Sequence, residues 1–471
     1  VDICKIHTID PVWTWCNREA ADQLRNLLSY EAVFWVPGRF GKKRTVYKRY
    51  LIEGHDYGDY YFLSGLVNRC LSFLHKNKVE YEYSSDIPEV EYNSPHLPNI
   101  TLREYQLDLV EKVIDRGYGI VKSPTGSGKS VIMYGVISCF NTENILVLVH
   151  SLDLVKQLYE GILDAGLGPV GIYSSKKREL YRITVCTVNT YYKMANEYKN
   201  HWGVVLVDEV HHVANPHDGM YHTALTQINA PWRIGFTATK SDSIEGQFAA
   251  EGLIGPIIGE ITMAEGQELG FLADPEILFI PVELPDRVKE MRKDLAYTKI
   301  YFSGIVENFT RCGRTAAEFE KEVEQGGVVL ILVNRISHIN ELLTFIDLPV
   351  EVVKGSVSKE ERFRIKEDLK SGKVKGVIAT TAWAEGVDIP NLTMVINAAG
   401  GKSERLTLQK IGRGLRKTET KTTVKIIEFM DYGFFAKNVL KPGKDAHILH
   451  RQSVQRWKVY EQQGWKPKLV K

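Results

Sequence analysis

Hydrophobic and polar positions follow one pattern over roughly the first 95 residues of this chain and another from Ile100 onward. The first stretch mixes short elements of both periods. It predicts a strand over Ile3 to Thr8, a helix over Asn17 to Leu28 from apolar spacing near 3.6, and strands over Ala32 to Val36 and Thr45 to Ile52. The intervening PGRFGKKR, with two glycines, suits a hairpin loop. An aromatic strand (Tyr60 to Leu63), a helix (Ser64 to His75) and a last strand near Val79 to Tyr83 follow. Ser84 to Asn99 carries three prolines and no sustained period, so it reads as a linker.

Beyond Ile100 short β-branched runs alternate with helical stretches. GYGIVKS, NILVLVHS, RITVCTV, GVVLVDE and RIGFTAT form one series; GVVLILVNR, VEVVKG, VKGVIATT, LTMVINAA and TVKIIEF form a second. Such alternation specifies a parallel sheet covered by helices on both faces. The expected fold is therefore α/β, two tandem parallel-sheet domains after a small N-terminal α+β accessory domain. The join lies near Gly270 to Leu284, and the boundaries are 1–95, 96–275 and 276–471.

A length of 471 residues, 44% hydrophobic and 25% charged, fits about three globular domains and excludes global disorder. The longest clear apolar run, Val328 to Val333, is far short of the ~20 residues that span a bilayer, so no membrane partner is expected. VDICKIH has no secretory pattern. Six scattered cysteines without a CxxC pair fit reduced thiols and a cytoplasmic location rather than a disulfide framework or zinc ribbon. The net charge of +2 says little, but its distribution says more. Arg39 to Arg49 holds six basic residues and no acid, among them Arg39, Lys42, Lys43 and Arg44, with Phe40 and Tyr47 between them. On a hairpin this is a cationic tip for duplex phosphates; the alternative is a lysine-rich edge that discourages aggregation. Lys441 to Lys471, with eight basic and two acidic residues, is either a strand-following tail or a packed helix.

The sharpest chemistry is SPTGSGKS, Ser123 to Ser130, between a strand-like GIV and a helical VIMYGVISCF. Gly126 and Gly128, in a loop with Pro124, Thr125 and Ser127, let backbone N–H groups curl around phosphates, and the helix N-terminus adds partial positive charge. Lys129 supplies a point charge for the β- and γ-phosphates and Ser130 a hydroxyl for Mg²⁺. GVVLVDEVHH completes the set: Asp208 at a strand end holds the metal through water, and Glu209 polarises the attacking water. The expected cofactors are ATP and Mg²⁺. Ser123 stands where the usual pattern has Gly. His211, His212, His217 and His222 lack the spacing of a metal site.

With TAT (Thr237 to Thr239) following in order, the chain resembles a superfamily 2 helicase of the DEAD/H type over about Leu102 to Arg416. DEVH stands for the commoner DEAD or DECH. GFLADP, RISH and KGS look closest to the phage UvsW-type recombination helicases; the bacterial fork-reversal (RecG) and eukaryotic XPB-type motors are more distant. The resemblance implies two RecA-like domains and an ATP-driven motor. It implies that Arg103, Tyr105 and Gln106 of LREYQ read adenine and that His211 couples the acids to Thr237 and Thr239. Gly386 and Asp388 of EGVDIP are implied to make ribose or phosphate contacts. From QKIGRGLR it implies Arg413 as the arginine finger, Arg416 beside it and Gln409 positioning water or phosphate. Ser151, Thr187, Arg335, Gly355, Ser356 and Thr380 are implied to grip nucleic-acid phosphates, contacts that fix position without reading sequence.

The function expected is an ATP-dependent DNA helicase or translocase that unwinds or branch-migrates forks and junctions, acting as a monomer in recombination, repair or replication restart. The alternatives are the translocating subunit of a restriction system, an RNA helicase, and a nucleotide-gated DNA clamp. A clamp need not keep Lys129, Asp208, Glu209 and Arg413 together.

Overall fold

The computed structural model of the chain describes residues 3–38, 41–54, 59–174, 177–193, 195–213, 217, 219–289, 297–380, 389–401, 417, 421–433, 439–441 and 446–470. Two compact units divide the chain. Unit 1 is Val1–Ser123 with Gly128–Ile261, and unit 2 is Thr262–Lys471 with Pro124–Ser127.

In unit 1 the N-terminal strands are β1 (Cys4–Thr8), β2 (Trp13–Cys16), β3 (Ser29–Gly38), β4 (Gly41–Tyr50), β5 (Glu53–Gly54), β6 (Tyr60–Leu63) and β7 (Tyr81–Ser85). Five of them form a sheet of order β5-β6-β2-β1-β7, in which only β1 and β7 run parallel. The other two, β3 and β4, are a separate antiparallel ribbon paired from Ser29↔Tyr50 to Gly38↔Gly41, longer than the expected hairpin. The helix expected over Asn17 to Leu28 is shorter, Arg18–Leu24, because the Leu28 carbonyl accepts the Leu51 N–H and the chain turns into the ribbon. The last strand lies two residues later than expected, its register set by Cys4↔Tyr81.

The second sheet of unit 1 comprises β8 (Tyr118–Lys122), β9 (Ile145–Val149), β10 (Val170–Tyr173), β11 (Ile183–Thr187), β12 (Val204–Asp208), β13 (Trp232–Thr237) and β14 (Ile257–Glu260). All its pairings are parallel, in the order β10-β11-β9-β12-β13-β8-β14. Every residue of β9, β11, β12 and β13 is buried, as expected of strands covered on both faces. The N-terminal region shares one hydrophobic core with this sheet. The backbones touch at Gly65, where a Cβ would stand 2.0 Å from the Glu251 carbonyl oxygen. Arg69 of the helix Val67–Lys76 donates Nε and Nη2 to Glu251 at 2.8 and 2.5 Å.

Unit 2 repeats the architecture with β15 (Asp274–Glu283), β16 (Val329–Val333), β17 (Glu351–Val353), β18 (Gly376–Thr380), β19 (Met394–Asn397), β20 (Thr423–Tyr432) and β21 (Lys468–Leu469). The order is β17-β18-β16-β19-β20-β15-β21, again all parallel. The fold is thus α/β with two tandem RecA-like sheets and a small N-terminal α+β region. The basic C-terminal stretch folds back as the helix Ile448–Gln462, which buries Leu449, Val454, Arg456 and Tyr460.

Below the end of β20 lies a fully buried ionic cluster. Arg311 Nη1 meets Asp431 Oδ1 at 2.5 Å, and Arg456 Nε meets Glu428 Oε2 at 2.8 Å. Asn397 and Tyr460 both donate to Glu428 Oε1 at 2.7 Å, and Ser453 donates to Asp431 Oδ2 at 3.0 Å. Remaining guanidinium donors reach the carbonyls of Ala398, Gly401 and Phe429. The Arg311 guanidinium also lies 4.3 Å from the Phe429 ring centroid.

Candidate nucleotide site and strand-tip loops

The phosphate loop leaves β8 at Lys122 and enters the helix Lys129–Ser138. Gly126 and Gly128 adopt φ of 91° and 77°, which a residue with a Cβ resists. Ser127 closes the turn, its buried hydroxyl donating to the Pro124 carbonyl at 2.8 Å. Gln106 packs against Gly128, where a Cβ would come within 2.4 Å of its Nε2. The same side chain accepts from the Arg103 N–H at 3.0 Å, capping the helix Glu104–Arg116. Gln106 is buried, Tyr105 half-buried and Arg103 exposed, so the LREYQ segment meets the phosphate loop through Gln106.

Asp208 ends β12, and Glu209 follows in a left-handed conformation with φ 50°. A non-glycine residue held there stores strain of the kind that collects at functional sites. The turn brings Glu209 Oε1 to 2.6 Å from Lys129 Nζ, with Asp208 Oδ1 at 3.5 Å. Burial raises the Asp208 carboxyl above its usual range, and Lys129 offsets this only in part. Burial opposes charge on Glu209 as well, but Lys129 and His211 together outweigh it and hold that carboxyl well below its usual range. One lysine therefore serves two acids and favours the glutamate.

From Glu209 a chain of polar contacts leads to the tip of β13. Glu209 Oε2 lies 3.2 Å from His211 Nδ1, without hydrogen-bond alignment. The same nitrogen pairs with Thr237 Oγ1 at 3.0 Å, and that hydroxyl donates to the Thr239 carbonyl at 2.7 Å. The Thr237 carbonyl accepts the Ser123 N–H at 2.9 Å, tying this strand to the first residue of the phosphate loop. Only the structure reveals that last link, since it depends on strand pairing. Ser123 itself is fully buried.

The donor chemistry fits Mg²⁺ with ATP. Ser130 and Asp208 offer hard oxygens beside the loop, and the two acids outnumber the one lysine. Among the described residues no three His, Cys, Asp or Glu side chains converge on a metal position. His211, His212 and His217 turn to different partners: Thr237, the rings of His150 and Tyr221, and Glu53.

Ser151 and Thr187 sit at the carboxyl ends of the adjacent strands β9 and β11. Both cap helices: Ser151 Oγ accepts the Leu154 N–H at 3.4 Å and Thr187 Oγ1 the Thr190 N–H at 3.2 Å. Thr187 is buried, so it offers a helix N-terminus rather than a free hydroxyl. In unit 2, Arg335 follows β16, Gly355 with Ser356 follows β17, and Thr380 ends β18, three neighbouring strands. Arg335, Gly355 and Ser356 are exposed, and Arg362 donates to the Gly355 carbonyl at 2.8 Å. Lys42, Lys43 and Arg44 fall on β4. Arg39, Gly386, Asp388, Gln409, Arg413 and Arg416 lie outside the described residues.

All six cysteines are buried and unpaired. Among the described residues no helix is long and apolar enough to cross a membrane.

Residues 99–242 match the family described as type III restriction enzyme, res subunit, and residues 313–418 match the helicase conserved C-terminal domain. The DNA 3'-5' translocase XPB2 of Sulfurisphaera tokodaii is 26% identical over 397 residues, covering 74% of this chain and 88% of the relative. The ATP-dependent DNA helicase uvsW of Enterobacteria phage T4 is 25% identical over 363 residues, covering 73% and 71%. The solved structure of S. cerevisiae Dbp5 bound to RNA and ADP BeF3 superposes with a TM-score of 0.54 at 15% identity, over 78% of this chain and 89% of that one, a likeness of fold. The chain belongs to superfamily 2 of the helicases, allied to XPB and uvsW, and is an ATP-dependent DNA helicase.

Proposed function

We propose that this helicase remodels branched DNA, unwinding or branch-migrating forks and junctions as a monomer in recombination, repair or replication restart. The observation that carries the reading is the relay from Lys129 and Glu209 through His211 to Thr237, tied back to the phosphate loop at Ser123. Phosphate oxygens compete with the two carboxylates for Lys129. When Lys129 turns to the phosphates, Glu209 is released to polarise water, and the change reaches the β13 tip through His211. Ser130 and Asp208 would hold Mg²⁺, which supplies charge neutralisation on the phosphates. Arg413 acts as the arginine finger, with Arg416 beside it, Gln409 positioning water or phosphate, and Gly386 and Asp388 contacting ribose or phosphate.

Residues 1–95 serve as an accessory DNA-binding segment, 96–275 as the ATP-binding motor domain and 276–471 as the second motor domain. The strand-tip residues Ser151, Thr187, Arg335, Gly355, Ser356 and Thr380 track the backbone. The ribbon of β3 and β4, with Lys42, Lys43 and Arg44 on β4, supplies together with Arg39 a cationic surface for the duplex beside a branch. The likeness to the ATP-dependent DNA helicase uvsW supports DNA as the substrate. The match to a restriction-enzyme family supports a second reading, a translocating restriction subunit.

ATP turnover and strand displacement compared on single-stranded DNA, a fork, a four-way junction and duplex RNA test the reading. The fork and junction should give the highest rates. Preference for RNA, or stimulated hydrolysis without remodelling of any branched substrate, would overturn it in favour of the alternatives.

A further inference from the structure

A cavity of about 270 Å³ lies within unit 1, bounded by the second sheet and the helix Ile244–Leu253. That is room for roughly nine waters at about 30 Å³ each, or for one small organic molecule. His211, Thr237 and Thr239 line it, so the relay from the hydrolytic acids forms part of its wall. The remaining lining divides by chemistry. Ile120, Val210, Ala250 and Ile257 are apolar, and Lys240 is an exposed cation. Arg69 and Glu251 also line it, but their charges neutralise one another in the two-point ion pair that fastens the N-terminal helix to the motor sheet. Lys240 is left as the uncompensated charge, with no ion-pair partner among the described residues. A second observation points to a ligand: Thr239 Oγ1 is buried and lacks a hydrogen-bond partner among the described residues. Buried hydroxyls are ordinarily satisfied, so this one has donor capacity to offer inside a cavity large enough to supply an acceptor.

We propose that this cavity binds a small organic monoanion, a compact apolar body bearing one carboxylate, and that its occupancy slows the motor. The apolar body rests on Ile120, Val210, Ala250 and Ile257. The carboxylate takes the Lys240 ammonium and the Thr239 hydroxyl. One cation and one neutral donor suit a charge of −1; a phosphate at about −2 calls for more charge-assisted donors than these walls provide. Occupancy restrains Thr239 and the His211–Thr237 contact in one arrangement, whereas turnover requires the relay to change. The site would thus act on coupling and leave ATP binding alone.

Isothermal titration calorimetry of the full chain with 2-naphthoate, and with its uncharged carboxamide, tests the binding independently of any helicase activity. Naphthoate should bind with one site per chain at millimolar or lower concentration, and the carboxamide at least about tenfold more weakly, a loss of about 1.4 kcal/mol. Lys240→Ala should weaken naphthoate by a similar factor, and Ala250→Leu, which fills the cavity, should abolish binding. Because Ala250→Leu can also disturb folding, the surface change at Lys240 and the carboxamide comparison decide the matter if that variant is unstable. Saturating naphthoate should lower DNA-stimulated turnover with the KM for ATP unchanged. Equal binding of acid and amide, undiminished binding to a folded Ala250→Leu protein, displacement by ATP, or no binding at all would overturn the proposal. A slowed motor in the Lys240→Ala variant equal to that in wild type would overturn its regulatory half.

Discussion

The two RecA-like units each bury a cluster of charges at the end of a central strand, and the clusters are built on opposite principles. In unit 2, two arginines face two carboxylates, and the carboxylate oxygens of Glu428 and Asp431 are taken by Arg, Asn, Tyr or Ser donors. In unit 1, among the described residues, a single lysine faces two carboxylates and Glu209 Oε2 has no aligned donor. The first cluster is balanced and saturated, so nothing in it gains by moving. The second is short of positive charge, held on a left-handed residue, and favours any arrangement that brings cations or donors to it. Burial alone does not separate scaffold from reactive site; the charge balance and the count of satisfied oxygens do.

The largest effect should come from upsetting the balanced cluster. Arg311→Met leaves Asp431 buried and unpaired, and removing one partner of such a pair costs about 3–5 kcal/mol. Chemical denaturation should register that loss, and the double change Arg311→Met with Asp431→Leu should recover much of it. A single variant as stable as wild type would show that the cluster contributes no net stabilisation.

In the unbalanced cluster the corresponding change acts on rate. Lys129→Ala removes the cation that orients the phosphates, and loss of one such electrostatic contact costs about 10²–10³ in turnover. Stability should fall as well, because the change leaves two buried carboxylates without the lysine that faces them. ATP turnover in the variant within about tenfold of wild type would sink the assignment.

What the sequence discloses follows the same division. The buried parallel strands are legible because coverage on both faces leaves unbroken β-branched runs, as in Ile145–Val149 and Val329–Val333. Lys129, Asp208 and Glu209 are legible because a phosphate loop requires its glycines and lysine at fixed offsets. Arg311 and Arg456 are not, since their partners lie far along the chain: Arg311 sits in a segment with no strong motif, and Arg456 in a basic stretch that reads equally as a strand-following tail or a packed helix. Nor is the union of the N-terminal region with the first motor sheet. It rests on Gly65 approaching the Glu251 carbonyl and on the Arg69–Glu251 pair, contacts that no local pattern encodes.

Beside the balanced cluster, His338 gives the comparison a pH axis. Both its ring nitrogens are buried without hydrogen-bond partners among the described residues, and burial, aided by Arg311, pushes its pKa down to about 3 from 6.5. A depressed pKa means the unfolded chain takes up a proton that the folded one refuses. Stability is therefore full above pH 6.5 and falls as pH drops toward about 3. By pH 5 the loss should be about 2 kcal/mol, at about 1.36 kcal/mol per unit. Denaturation midpoints measured across this range should slope less steeply in His338→Leu. An unchanged slope would place the proton uptake elsewhere.

The smallest effect expected is at His211, and it separates two roles that the geometry leaves superimposed. One ring nitrogen, Nδ1, faces both Glu209 Oε2 and Thr237 Oγ1. If it serves only to keep the Glu209 carboxyl charged, His211→Ala should lower basal and DNA-stimulated ATP turnover by the same factor. If it transmits nucleotide state to the β13 tip, basal turnover should survive while stimulation by DNA, and strand displacement per ATP consumed, decline. Couplings carried by single intermediate residues are worth about 0.5–2 kcal/mol, or roughly two- to thirtyfold. His211→Gln sharpens the distinction, because a glutamine amide can still donate toward Glu209 or Thr237 but carries no charge. Recovery of displacement in the Gln variant without recovery of basal rate would place the function of this residue in its hydrogen bonds, and hence in the relay. Intact stimulation and intact displacement in His211→Ala would instead leave the Thr237–Ser123 link as the route between phosphate loop and strand tip.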